Sequence, residues 1–263
     1  MKNPLSFAAG VTGLRKILQK TILPVLLVAA TAVSARAEVT TGHPDFEKIK
    51  AETTNPDSRY YYPKLLKEFM SNDTIMTDDD YHYFYYGTMF QEDYNPYREN
   101  PYQKEVEATK PLYFKQENLT KAECRQIEQL AQKSLDNNPL DLTQMTYRVY
   151  VYEKNRKFNH AKIWKKKLDS ILLVIARSGT GESPEKARVV VYPINEFEFF
   201  NLSGGAVKSQ EFQEPYYDKL EVVNRKSDKT TTNYFDLREM LEQYYLKHPE
   251  EQTPDDAPSS TPD

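Results

Sequence analysis

Residues 81–97 read YHYFYYGTMFQEDYNPY, six tyrosines and two phenylalanines in seventeen positions. Rings at this density carry a large apolar area that folding must cover or offer to a ligand. The spacing begins to sort them. Tyr83, Tyr86, Gly87 and Phe90 fall at i, i+3, i+4 and i+7, one face of a helix. Thr77 stands where an N-cap belongs, with acids in the first turn behind it, so a helix is predicted over 77–91. Gly87 on the packed face lets a second helix come close, and the large rings around it fill the seam.

Helical periodicity continues through residue 178. YYPKLLKEFM carries Pro63 near its start, where proline is tolerated. TKAECRQIEQLAQKSLDNNP opens with Thr120 and Glu123 at capping-box spacing, followed by an apolar stripe from Ile127 to Leu135. NPLDLTQMTYRVYVYEKN comes next. In FNHAKIWKKKLDSILLVIARSG, Ala161, Trp164, Leu168, Ile171 and Ile175 form the stripe and Gly179 signals the end. After Gly179 the period changes. ARVVVYP is a β-branched run ended by Pro193, and KLEVVNR and TTTNYF flank KSDK as a hairpin. DLREMLEQYYLKH closes the domain as a helix capped by Asp236 with Glu239. The fold class is therefore α+β: antiparallel helical hairpins over 38–180, then a small antiparallel sheet with a C-terminal helix over 181–248. Residues 249–263, acidic and proline-rich, are expected to be disordered.

The first 37 residues have a basic flank, the apolar run TILPVLLVAATAVS and ARA before Glu38, the pattern of a secretory signal peptide cleaved after Ala37. The apolar run is too short for a stable membrane span, so no integral membrane segment is expected in the mature chain. No cysteine follows the site, which excludes a lipoprotein anchor; Cys124, the lone cysteine, reads as a small buried helix residue. Residues 1–37 hold five of the 35 basic residues and none of the 39 acidic ones, so their removal takes the formal charge from -4 to -9. Such a chain has no general attraction for nucleic acid.

Tyr83-x2-Tyr86-Gly87-x2-Phe90 resembles the first half of a tetratricopeptide repeat, with rings in place of the usual tryptophan, leucine and tyrosine. Taking Pro139 as the closing proline of a preceding repeat puts Tyr152 and Ala161 on motif positions of a second unit. Arg148 and Val149 depart from the motif leucine and glycine, and residues 92–117, with three prolines, form a long insertion where a partner helix is expected. The resemblance implies a concave groove lined by Tyr81, Phe84, Thr88 and Gln91 from one helix. Thr143, Thr146, Tyr150 and Glu153 line it from the other. The mature chain also resembles a family of secreted Bacteroidetes proteins classed as a domain of unknown function, through HPDFEKIK, YYYPKLL, YFYYGTMFQEDYNPY, NNPLDL and NYFDLREM. That resemblance implies export and assigns no catalytic residue.

Chemistry-bearing motifs are absent. His43, His82, His160 and His248 lack metal-ligand spacing, SGTGES lacks the phosphate-loop lysine, and no cofactor motif exists, so neither metal nor cofactor is expected. Glu196 and Glu198 alternate in what reads as an extended segment, a conceivable hydrolase pair. Three readings follow: a non-catalytic module binding a protein or peptide, a glycan binder using exposed rings, and a carboxylate hydrolase. In the insertion, Tyr94, Tyr97 and Tyr102 belong to either a packed lid or a binding loop.

Overall fold

The computed structural model describes residues 42–72, 76–115 and 118–251. The segments expected to be a signal peptide and most of the acidic tail lie outside these residues. Within them the chain is α+β, helices first, then a sheet, then a closing helix.

The helical part runs α1 (Phe46–Thr54), α2 (Tyr62–Met70), α3 (Asp78–Gly87), α4 (Gln103–Tyr113), α5 (Lys121–Asn137), α6 (Leu142–Lys154) and α7 (Phe158–Arg177). Caps set several of the starts. Thr77 and Asp80 form a capping box at α3, as do Thr120 and Glu123 at α5, each satisfying backbone N–H groups that a helix leaves unpaired. Asp141 caps α6 by accepting from the Gln144 N–H at 2.9 Å. Helix α3 ends at Gly87 and continues as a 3-10 turn over Thr88–Phe90.

Helix α3 is enclosed on nearly every side. From Asp80 to Gly87 only His82 is not buried. Phe84 stacks on Phe69 of α2 at 4.4 Å and on Tyr62 at 5.4 Å, and Phe69 meets the Trp164 edge of α7 at 6.1 Å. Arg177 near the C-terminus of α7 pairs with Asp78 in the first turn of α3 at 2.9 Å, each charge complementing its helix dipole. Gly87 faces α1: a Cβ there would lie 2.6 Å from the Thr53 methyl group. The close partner of this glycine is thus the helix before it, not one after.

Residues 92–117 are not a helix-free insertion. They contain α4, which carries Pro111 two positions before its last residue. Its one ring, Tyr113, stacks on Tyr147 of α6 at 3.7 Å and meets Tyr150 edge-on at 5.6 Å.

The second part has four strands: β1 (Arg188–Val189), β2 (Gly205–Gln213), β3 (Tyr217–Asn224) and β4 (Thr230–Asp236), in the order β1-β4-β3-β2. The β3–β4 hairpin is where KLEVVNR and TTTNYF placed it. The sheet is mixed, because β1 pairs parallel to β4 (Arg188 opposite Phe235). Between β1 and β2 lies α8 (Ile194–Leu202), a helix where the Glu/Phe alternation read as extended. Helix α9 (Arg238–Lys247) closes the chain. Asp236 does not cap it through the box expected with Glu239; its carboxylate accepts the Arg238 N–H at 2.8 Å. Pro249–Glu251, expected to be disordered, form a 3-10 turn held by the Tyr244 hydroxyl donating to Glu251 at 2.6 Å. Among the described residues no helix is long and apolar enough to cross a membrane.

The Gly87–Thr53 contact leaves no room for a methyl group. Gly87→Ala is expected to lower stability by about 1–3 kcal/mol in urea unfolding, the usual cost of overpacking. Thr53→Ser, which removes the opposing methyl and keeps the hydroxyl, should recover part of the loss in the double variant.

Candidate functional site

The expected aromatic groove is closed. Tyr81 and Phe84 are 0% exposed, Thr88 5% and Tyr150 6%. The motif face of α3 is covered by Tyr62 and Phe69 of α2, and Tyr150 is covered by Tyr113 of α4, the helix that sequence periodicity did not show. Thr146 is also buried, donating to the Leu142 carbonyl at 2.8 Å, and Thr143 turns to Glu198. Of the groove residues, Gln91 and Thr143, both half-buried, and Glu153, exposed, reach the surface.

A different opening exists. A cleft of about 290 Å³ lies between α2, the start of the insertion and the α5–α6 turn. Its apolar lining is Leu66, Met70, Leu135 and Pro139, with the rings of Tyr62, Tyr94 and Tyr192. Its polar lining comes from two short stretches. The insertion supplies Asp93, Asn95, Arg98 and Asn100, and the NNPLDL turn supplies Asn137, Asn138 and Asp141, next to Asp136. Thr88 and Gln91 of the expected groove join this lining. Arg98 is paired with Asp93, through its carboxylate at 3.4 Å and its backbone carbonyl. Burial pushes the Tyr62 hydroxyl up to about 12 and raises Tyr94 and Tyr192 as well, so all three phenols are neutral donors at neutral pH.

A belt of buried hydrogen bonds holds the cleft from behind. The Tyr94 hydroxyl donates to the Val191 carbonyl, and the Val191 N–H donates to Tyr85 Oη at 3.3 Å. The Tyr85 hydroxyl donates to Asn195 Oδ1 at 3.0 Å. Asn195 Nδ2 donates to Glu198 Oε2 at 2.9 Å and lies 3.4 Å from the Leu140 carbonyl. Glu198 Oε1 accepts from the N–H and hydroxyl of Thr143, both at 2.7 Å, two residues beyond Asp141. The belt therefore runs from one wall of the cleft to the other. Burial raises both carboxyls, and the charge on Asp141 raises Glu198 further. Glu198 is the more enclosed of the two, so Asp141, facing the cleft, ionises first.

The insertion is anchored as well as exposed. Tyr94 is 3% exposed while Tyr97 is 45% exposed, so one ring fastens the segment and the other lies on its outer side. Lys247 of α9 donates to the carbonyls of Met89, at 3.0 Å, and Gln91, fixing where the insertion starts. The lysine-rich stretch of α7 divides. Lys165 pairs with Asp169 at 2.6 Å, whereas Lys167 is buried, donates to the Phe69 and Ser71 carbonyls and lies 4.7 Å from the Trp164 ring centre. The histidines lack metal-ligand spacing in the sequence; in the fold His248 comes within 4.8 Å of Glu250 and Glu251 at the surface. Glu196 and Glu198 sit on a helix, about 200° apart around its axis rather than on one side. Both are sealed, so a substrate does not reach the pair.

Asp141, Asn137, Asn138, Tyr62 and Tyr192 are cleft residues that sequence spacing did not single out. The signal for three of them was the NNPLDL turn, whose polar residues read as chain reversal and capping.

Asn195 is the belt's junction. Asn195→Ala would leave the Tyr85 hydroxyl and Glu198 each short of a partner. The variant is expected to lose about 2–4 kcal/mol in denaturant unfolding, since each unsatisfied buried group costs about 1–3 kcal/mol. Asn195→Asp keeps only the acceptor facing Tyr85 and places a new carboxyl beside Glu198. It should therefore show a larger loss at high pH than at low pH.

No curated protein and no solved structure gives a significant match to the chain. A family profile described as a domain of unknown function (DUF4919) matches residues 47–246, from α1 through α9, and includes the cleft and the belt. The chain belongs to this family.

Proposed function

We propose that the protein is an exported, non-catalytic binding protein whose cleft takes a small, neutral, hydroxyl-rich ligand: a sugar ring or a short neutral glycan. The reading of export rests on the basic flank, apolar run and ARA site of residues 1–37. The cleft carries the reading of binding. Its volume is at the small end of the range for ligand sites, about 300–1,000 Å³. Flat rings with amides and carboxylates beside them suit a sugar, whose ring face is apolar and whose edge is hydroxyls. Its acids, Asp93, Asp136 and Asp141, outnumber its one basic residue, Arg98, which Asp93 already engages. That balance disfavours anionic ligands. The buried belt behind the cleft pre-organises the polar groups, which lowers the ordering cost of binding. A peptide-binding groove built on Tyr81, Phe84 and Tyr150 has no support, because these rings are the core.

The test uses Asn137. Its side chain lines the cleft and engages no partner among the described residues, so its removal costs the fold little. Titration calorimetry of the mature chain with a panel of neutral mono- and disaccharides should show saturable binding. Asn137→Ala should weaken it by about 0.5–1.5 kcal/mol, the weight of one hydrogen bond, with an unchanged melting temperature. An absence of saturable binding across the panel, or binding indifferent to Asn137→Ala and Asp141→Asn, would overturn the proposal.

A further inference from the structure

Behind the outer wall of the cleft lies a second pair of acids that the binding reading does not use. Glu196 of α8 is 0% exposed and Asp218 of β3 is 4% exposed. Gln210 of β2 points its amide nitrogen at both, 3.4 Å from Glu196 Oε2 and in contact with Asp218 Oδ2. Glu196 Oε1 has no hydrogen-bond partner among the described residues. Two buried carboxylates side by side repel, and one oxygen with no donor makes a charged Glu196 costlier still. The arrangement is satisfied when Glu196 carries a proton and donates it to Asp218. Asp218 then accepts from Glu196 and Gln210, and the orphaned atom is a neutral carbonyl oxygen. Burial and the Asp218 charge raise Glu196 well above the ordinary carboxyl range, and burial raises Asp218.

Among the described residues no cation acts on either acid to replace the proton. Lys219 on β3 turns outward to Glu211 at 3.3 Å, and Lys208 on β2 to Thr230 at 3.3 Å. Glu198 lies around the far side of α8, in the belt. From the insertion, burial raises the Tyr97 hydroxyl, Tyr245 and Tyr244 of α9 raise it further, and Asp218 and Glu196 are near enough to add to the shift. The Tyr97 ring packs edge-on against Tyr244 at 4.9 Å. Tyr97 sits between Asn95 and Arg98, which line the cleft. One short segment thus carries both cleft residues and the ring that senses the acid pair.

We infer that the Glu196–Asp218 pair is a proton-operated latch on the cleft. With its shared proton, the pair holds α8, the β2–β3 hairpin and Tyr97 together. Without it, like charges part these elements and loosen residues 93–100, the cleft's outer wall. This inference rests on the cleft being the binding site, and it assigns that site a regulator. The sign follows from the raised carboxyls. Below their ordinary range, folded and unfolded chains hold the same protons. Above it, only the folded chain retains one, so stability falls as pH rises until the pair ionises.

Amide hydrogen exchange of the mature chain, corrected for intrinsic rates, tests the latch without any ligand. Between about pH 5 and about pH 9, protection of residues 93–100 should fall by about tenfold or more, while that of α5 stays level. Glu196→Gln keeps a donor to Asp218 but carries no titrating proton. It should abolish the pH dependence, and Asp218→Asn should do the same if the first variant folds poorly. Level protection in the unaltered chain, or the same pH dependence in both variants, would overturn the latch. The outcome separates from that of the sugar titration: a working latch with no saturable sugar binding removes the ligand reading alone, and sugar binding with level exchange removes the latch alone.

Discussion

The structure depends on enclosing one short helix whose residues from Tyr81 to Tyr86 are all rings. Beyond its acidic first turn and His82, helix α3 meets almost no water: Tyr81, Phe84, Tyr85 and Tyr86 are all 0% exposed. A helix apolar all round must be covered all round. Helices α1, α2 and α7 do this, and Gly87 lets α1 approach where any side chain would strike Thr53. The ring pile of Phe84, Phe69, Tyr62 and Trp164 then sets where α2 and α7 stand.

Tyrosine makes this core useful beyond packing. A buried hydroxyl favours a partner, and for Tyr85 and Tyr94 the partners lie on other elements. Tyr85 reaches Asn195 on α8, and Tyr94 reaches Val191 beside the sheet. The same requirement that satisfies the core thus ties the helical part to the α8 region and carries a hydrogen-bonded belt under the cleft. The cleft is framed by what α3 leaves behind: the insertion that follows it, the α2 face that covers it and the turn that starts α6. Its outer wall carries Tyr97, whose hydroxyl lies within the electrostatic reach of the second acid pair on α8 and β3.

Much of the fold was legible because its signals are local. Thr77 and Thr120 announced their helices through groups three residues away, and the β3–β4 hairpin showed in two β-branched runs about a four-residue loop. What failed was long-range. Helix α8 read as extended because Glu196 and Glu198 alternate with phenylalanines, and its burial on all sides removed the amphipathic stripe that marks a helix. The parallel pairing of β1 with β4 joins residues far apart in sequence. Helix α4 was hidden by Pro111, which sits late enough in the helix to be tolerated. Missing α4 meant missing the cover on Tyr150. The exposure of a tyrosine cannot be taken from spacing, since its ring suits a core and its hydroxyl suits a surface. The candidate site was legible only in fragments. Thr88 and Gln91 were named for a groove and line the cleft, whereas Asp141 read as part of a turn.

Nitration of the folded chain, mapped by mass spectrometry, tests the central claim most directly, because it reports which tyrosines meet water. The account predicts rapid modification of Tyr97, with Tyr81, Tyr85, Tyr86, Tyr94 and Tyr150 reacting only after unfolding. Modification of Tyr81 or Tyr150 at the rate of Tyr97 in the native state would contradict it, for the rings would then line a surface rather than fill the core.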